Sequence, residues 1–235
     1  MVARAHLESL LRARKLDVTL TTAEGWRACD EERLAATGWP ELDRSLGGGV
    51  RRGHLSEIVG ARSSGRSAIF AGMAAAATAR GEVVALVDTD DRFDPDTAAA
   101  AGVDLTRLLW VRETGQAERA LKAMSLVLQA GGFGLVALDL ADVRGVALRR
   151  FPHTTWMRLA RLVEGSVTAA VLIGAEHIAR SPGGVTIALD PPAVGLPGQW
   201  TGASIRARRL RALSIRPRVI SARSGAAPSS APAGG

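Results

Sequence analysis

The stretch HLSEIVGARSSGRSAIFAGMAAAATARG, residues 54–81, decides the fold. Its first seven residues, with Leu55, Ile58 and Val59, predict a strand over 54–60, and the alanine-rich run that follows predicts a helix over 65–81. A turn rich in glycine and serine joins the two elements. This order of strand, turn and helix is the first half of a unit that builds a parallel sheet.

The rest of the chain continues this alternation of strands and helices. Further strands are predicted over 83–90, 108–113, 133–142 and 167–176, and further helices over 94–102, 116–132 and 153–166. Parallel strands need crossover helices of this length, so the predicted fold class is α/β, with a mostly parallel twisted sheet flanked by helices. Residues 185–190 and 210–220 predict an edge hairpin, where Pro217 fits because it has no N–H to donate.

Three parts are expected along the chain. Residues 1–36 form an N-terminal arm with a short helix, because its leucines recur at helical spacing. Residues 37–220 form the core with its edge hairpin. Residues 221–235 are small, polar and rich in proline and glycine, and are expected to be a disordered tail.

The composition excludes several classes of protein. No apolar run approaches the roughly 20 residues of a membrane span, so no membrane contact is expected. The first residues lack the apolar stretch of a secretory signal, and we therefore expect the protein in the cytoplasm. Cys29 is the only cysteine, which excludes an internal disulfide and a cysteine-rich zinc site.

The excess of positive charge, +7 in total, lies near the C-terminus. Asp190 is the last of 23 acidic residues and seven of the 30 basic residues follow it, so residues 1–190 have no net charge. Such a run could contact a phosphate backbone or an acidic partner, or could simply be a solvated edge. The candidate contact residues are Arg206, Arg208, Arg209, Arg211, Arg216 and Arg218.

The turn after the first strand has the spacing of a phosphate-binding loop, G-x-x-x-x-G-K-[ST], except that Arg66 stands where the lysine belongs. In an intact loop the backbone N–H groups surround the β-phosphate, the lysine reaches the γ-phosphate and the hydroxyl binds magnesium. A planar guanidinium is bulkier than an ammonium and does not replace it. The predicted vestigial nucleotide site comprises Gly60, Ser63, Ser64, Gly65, Arg66 and Ser67.

A second part of this site is predicted at Asp139. It ends the apolar run LVALD, residues 135–139, at the place of a magnesium-orienting aspartate, although buried strands often end in a polar residue without such a role. Two interpretations of the loop stay open. It is either a turn kept only for its conformation, or a site that binds ATP with magnesium weakly and hydrolyses it slowly.

Four segments together resemble the RecA core over about residues 37–180. They are TGWPELDRSLGGGVRRGHLSEIVGARSSGRSAI, VALVDTDDRFDP, AGVDLTRLLWVR and GFGLVALDLADV. The short chain, the altered loop and the segments GVDLTRLLWVR and GGFGLVALDL resemble more closely the ImuA family, RecA-like proteins of the bacterial SOS mutagenesis cassette.

The resemblance to RecA implies roles for residues after two further strands. The water-activating glutamate of RecA-type enzymes corresponds to Asp90, one methylene shorter, or to Asp91 if the register differs by one. The γ-phosphate sensor corresponds to Glu176 or His177. The segments that hold DNA in RecA are short here, although Arg144, Arg149 and Arg150 could still contact phosphates.

The resemblance to ImuA implies an adaptor of SOS-induced translesion synthesis, located with the nucleoid after DNA damage. Its partners would be RecA and an ImuB-like inactive polymerase homologue, and indirectly an error-prone polymerase III alpha-type polymerase. Three alternatives remain. They are a DNA-dependent ATPase and recombinase of RecA type, a DNA-binding module that uses the C-terminal arginines, and a division inhibitor of the SulA kind.

Overall fold

The computed structural model describes residues 33–179, 183–189 and 217–222, the last of these as backbone only. Within them the strands are β1 (Leu34–Ala35), β2 (Val50–Arg51), β3 (Leu55–Gly60), β4 (Val84–Asp88), β5 (Leu108–Arg112), β6 (Leu135–Asp139), β7 (Ala169–Gly174), β8 (Val185–Leu189) and β9 (Pro217–Ala222). The helices are α1 (Pro40–Leu46), α2 (Arg66–Ala79), α3 (Pro95–Ala100), α4 (Ala117–Ala130), α5 (Gly145–Leu148) and α6 (His153–Val163).

The main sheet of the described residues has the strand order β5-β4-β6-β7-β3-β8-β9. Its first six strands are parallel, and β9 pairs antiparallel with β8 at the edge. The predicted α/β class with a mostly parallel sheet is therefore confirmed. β1 and β2 form a separate two-stranded ladder that the sequence did not predict.

Both faces of the sheet are covered by helices. On one face, Ile69 and Met73 of α2 pack with Ile58 of β3. On the other face, Met124 of α4 and Trp156 of α6 pack with the strands. Such two-sided burial explains why the central strands are almost continuously apolar.

The strands are shorter than predicted where their ends carry acidic residues. β4 ends at Asp88 rather than at residue 90, and β6 covers 135–139 of the predicted 133–142. The predicted arm and tail lie mostly outside the described residues, and the proposed domain boundaries stay predictions. Within the part that the structure describes, none of the helices has the length and apolar composition of a membrane span.

Arg52 fastens the amino-terminal edge of the sheet. Its side chain is 8% exposed and forms an ion pair of 2.7 Å with Glu82. It also donates hydrogen bonds to the carbonyl oxygens of Leu34, Gly134 and Val167, at 3.2, 3.0 and 2.9 Å. One guanidinium thus joins the β1 strand to the segments that precede β6 and β7.

We predict that Arg52→Ala lowers the free energy of unfolding by about 3 kcal/mol, because three backbone carbonyls lose a donor and Glu82 keeps only its more exposed partner, Arg80. Arg80→Ala is the matched control. Arg80 contacts the same Glu82 oxygen at 2.8 Å but its side chain is 40% exposed, so its loss should cost less than about 1 kcal/mol. Equal losses for the two variants in urea unfolding would contradict this account.

Candidate functional site at the carboxyl edge of the sheet

The loop between β3 and α2 lies at the carboxyl edge of the sheet. Ser63 and Gly65 have left-handed backbone conformations, with φ of 61° and 101°. The first helical hydrogen bond of α2 runs from the Ile69 N–H to the Gly65 carbonyl, at 3.0 Å. The N–H groups of residues 66–68 at the start of α2 therefore have no helical partner, an arrangement that favours an anion.

Gly60 is required because the loop folds back onto the end of β3. A Cβ at this position would collide with the Ser64 hydroxyl and lie 2.9 Å from the Leu189 carbonyl. Ser64 is 3% exposed, and its hydroxyl has no hydrogen-bond partner among the described residues. Ser67 lies on the first turn of α2 and is exposed.

Arg66 is buried at the base of the loop, with 8% of the residue exposed. Burial lowers the pKa of its guanidinium, and the nearby carboxylates of Asp139 and Asp142 act in the opposite direction. Its Nη1 atom forms no hydrogen bond to any residue that the structure describes. A buried, unsatisfied cationic nitrogen is a favourable place for an anionic group.

Acidic side chains collect beside Arg66. The parallel register sets Asp88 of β4 opposite Asp139 of β6, so both strands end in a carboxylate at the same level. With Asp90, Arg92 and Asp142 they line a cavity of about 10 Å³. Among the described residues, however, no group of three or more acidic, histidine or cysteine side chains is arranged to hold a metal ion.

Burial raises the pKa of the Asp139 carboxyl to about 6, and the negative charges of Asp88 and Asp142 act in the same direction. A hydrogen bond of 2.8 Å from the Ala141 N–H and the positive charge of Arg66 only partly oppose this shift. Asp139 therefore holds its proton more tightly than an ordinary aspartate, and it is mostly ionised only above about pH 6.

The structure separates the two candidates for the water-activating position. Asp90 is partly buried and lines the small cavity, and burial raises the pKa of its carboxyl. Asp91 is bound by the guanidinium of Arg112 at 2.7 Å, which lowers its pKa. Asp90 is thus the one of the two that faces Asp139, and its catalytic role stays a prediction.

The two candidates for the phosphate sensor lie elsewhere. Glu176 forms an exposed ion pair of 3.2 Å with Arg149. The Nδ1 atom of His177 contacts the carboxylate of Glu57, a residue of β3 that is 2% exposed. Glu176 and His177 line a larger groove next to α5 and α6, not the cavity beside Asp139.

The C-terminal arginines cannot be placed in this site. Five of them, Arg206, Arg208, Arg209, Arg211 and Arg216, lie outside the described residues, and Arg218 is on β9, where only the backbone is described. Their role in binding stays a prediction.

Sequence reasoning missed several residues of this edge. Asp88 accepts hydrogen bonds from the Phe93 N–H at 2.7 Å and the Trp110 indole N–H at 3.3 Å. Asp142 binds Arg62 at 2.8 Å. Thr89 is fully buried, and its hydroxyl has no partner within the described ranges. Only Asp88 had a usable signal, an acidic residue directly after four apolar ones.

A parallel sheet of this order, with a phosphate-type loop between β3 and α2 and an aspartate at the end of β6, defines a protein of the RecA type. The model of the RecA N-terminal domain matches residues 25–146, and the chain belongs to this family.

Curated relatives agree with this assignment. Protein RecA of Kineococcus radiotolerans is 36% identical over 146 residues, which cover 59% of this chain and 42% of the relative. Protein RecA of Chlorobaculum tepidum is 35% identical over 108 residues, covering 46% and 31%. The chain thus spans less than half the length of these relatives. The crystal structure of the RadB recombinase is 18% identical, with a TM-score of 0.54 over 70% of this chain and 85% of that one, and supports the fold alone.

We predict that the change in the free energy of unfolding caused by Asp139→Asn is more favourable at pH 8 than at pH 5, by about 1–2 kcal/mol, because the wild-type carboxyl must ionise in a buried place. The folded-state pKa is raised, so the contribution of this carboxyl to stability is present at low pH and is lost as the pH rises through about 6. Urea unfolding at both pH values measures it. Asp91→Asn, whose carboxyl is exposed and paired with Arg112, is the control and should not be stabilising at pH 8. Equal effects of Asp139→Asn at the two pH values would contradict the assignment.

Proposed function

We propose that this RecA-type protein is an adaptor of damage-induced translesion DNA synthesis, which binds RecA and an ImuB-like partner and does not depend on ATP turnover. The adaptor role and its partners follow from the resemblance to the ImuA family. The absence of ATP turnover is inferred from Arg66. Its guanidinium is buried at the base of the loop, where an ATPase of this type needs a mobile ammonium.

The loop retains features that suit a phosphate group. The unsatisfied Nη1 of Arg66, the unsatisfied hydroxyl of Ser64 and the free N–H groups of the first turn of α2 would hold it. A bound nucleotide would contribute the negative charge of its phosphates to these groups and would not be hydrolysed. The proposal therefore allows a nucleotide to bind weakly as a structural ligand.

The residues that would carry out hydrolysis are poorly suited to it. Burial disfavours the charged form of the Asp139 carboxyl, which is the form that would orient magnesium, and raises its pKa to about 6. Asp90 is one methylene shorter than the glutamate of RecA-type enzymes, so its carboxylate reaches less far toward an attacking water. These features favour an adaptor over an ATPase.

The segments that correspond to the DNA-holding loops of RecA are short in this chain. Residues 145–148 form the short helix α5. After β7, the carboxylate of Glu57 accepts the N–H groups of Ile178 and Ala179, at 2.8 and 2.7 Å. Segments of this length offer little chain to wrap a DNA strand, which favours protein binding over recombination.

A DNA-dependent ATPase and recombinase is the second candidate. The unsatisfied buried atoms of Arg66 and Ser64 favour it, because they suit a phosphate. RecA and RadB are the names of proteins similar to this one. Turnover of ATP that is stimulated by single-stranded DNA distinguishes it from the adaptor.

We predict that the tagged, full-length chain captures RecA and the ImuB-like protein of the same organism, as checked by affinity capture and size-exclusion chromatography. Ser67→Ala is the control and should retain both complexes, because the proposed binding does not need the loop hydroxyl. Two variants test the candidate surfaces: the combined replacement of Arg206, Arg208, Arg209 and Arg211 by Ala, and deletion of residues 1–20. Each variant should lose the capture of one of the two partners. Capture of neither protein by the intact chain would contradict the adaptor; unchanged capture by a variant would exclude that surface.

A further inference from the structure

We propose that a groove beside α5 and α6 is a docking site for an acidic peptide segment of a partner protein that carries one apolar anchor side chain. The α5–α6 groove has a volume of about 540 Å³ and is bounded by α5, the start of α6 and residues 176–178. This inference rests on the proposed adaptor function and assigns it a surface of the core.

The groove has an apolar interior part. It is formed by Leu148, Phe151, Trp156 and Ile178, and the polar side chains of Arg149, His153, Glu176 and His177 complete the lining. The rings of Phe151 and Trp156 meet edge to face with centroids 6.1 Å apart, and Trp156 is 3% exposed. The volume is in the range of pockets that enclose a ligand, so the groove can take up a whole leucine or phenylalanine side chain.

The surroundings of the groove are positively charged. Residues 143–163 contain five arginines and no acidic residue. Arg144 and Arg150 are exposed, and neither has an ion-pair partner among residues 33–179 and 183–189. An acidic chain that lies along α5 would therefore meet uncompensated positive charge at both ends of that helix.

One arginine of the rim already binds a carboxylate. Arg149 contacts Glu176 at 3.2 Å, and a Cβ added to Gly145 would lie 3.3 Å from the Arg149 Nη1 atom and 3.4 Å from a Glu176 oxygen. The ion pair thus lies beside Gly145, at the opening of the groove. Its side chains are 65% and 67% exposed, so the pair is weak and can exchange Glu176 for a carboxylate of a ligand.

Hydrogen bonds hold the wall of the groove opposite α5 in place before a ligand binds. Glu57, buried on β3, binds the N–H groups of Ile178 and Ala179, and it also contacts His177 and the Thr186 hydroxyl. A groove whose wall is already held in place loses little conformational entropy when a ligand binds. This contact explains how a short surface segment can present a stable binding surface.

A peptide fits these features better than single-stranded nucleic acid. Single-strand binders use exposed aromatic rings on which bases stack, whereas Trp156 is buried at the floor and Phe151 is half-buried. A phosphate backbone would use the arginines but would leave the apolar interior without a partner. An acidic peptide with an apolar anchor uses both.

The test is fluorescence anisotropy of a labelled synthetic peptide of aspartate and glutamate with one central leucine, added to the full-length protein. We expect saturable binding that weakens about threefold to tenfold in Arg150→Glu. Arg44→Glu is the matched control, because Arg44 is likewise exposed and has no ion-pair partner in the described core, but lies on α1. It should bind as the wild type does.

Glu176→Gln gives a second test with the opposite sign. It removes the carboxylate that competes for Arg149, so the peptide should bind about twofold to fivefold more tightly. A peptide with serine in place of the leucine should bind at least about fivefold more weakly, since it forfeits the burial of the anchor. Three results would each overturn the proposal. They are equal binding of the two peptides, an equal loss of binding in Arg150→Glu and Arg44→Glu, and tighter binding of a single-stranded oligonucleotide than of the peptide.

The assay contains neither RecA nor ATP. Its failure therefore overturns the α5–α6 groove alone. Failure to capture RecA and the ImuB-like protein overturns the adaptor proposal and leaves the peptide result intact.

Discussion

The carboxyl edge of the sheet depends on the electrostatic balance around one buried guanidinium. Arg66 begins α2 beneath the loop, and a buried cation is tolerated only where opposite charge lies close by. Asp139 and Asp142 supply that charge. The parallel register then places a third carboxylate nearby, because Asp88 and Asp139 end neighbouring strands at the same level. Burial and, to a lesser extent, this neighbouring charge raise the pKa of the Asp139 carboxyl.

This balance connects the fold to the proposed function. A loop that held a free ammonium could move its charge to a phosphate during a reaction. Arg66 is instead held among carboxylates below the loop, with one nitrogen unsatisfied. The loop therefore retains groups that suit an anion. The α5–α6 groove, on another part of the same edge, offers a surface for proteins.

Much of this fold was predictable from the sequence, because strands buried on both faces are continuous apolar runs and the phosphate loop has a fixed spacing. The ends of the strands were not. The predicted strand 83–90 stops at Asp88, whose carboxylate turns to bind the Phe93 N–H and the Trp110 indole. The role of Glu57 had no sequence signal, since its partners Ile178 and Ala179 lie 121 and 122 residues away.

The most direct test of the central claim is the rate of ATP hydrolysis by the purified chain with magnesium, with and without single-stranded DNA. The account predicts a rate indistinguishable from that of Ser67→Ala under both conditions, because Arg66 replaces the cation that the reaction requires. Hydrolysis that rises with single-stranded DNA and falls in Ser67→Ala would contradict it.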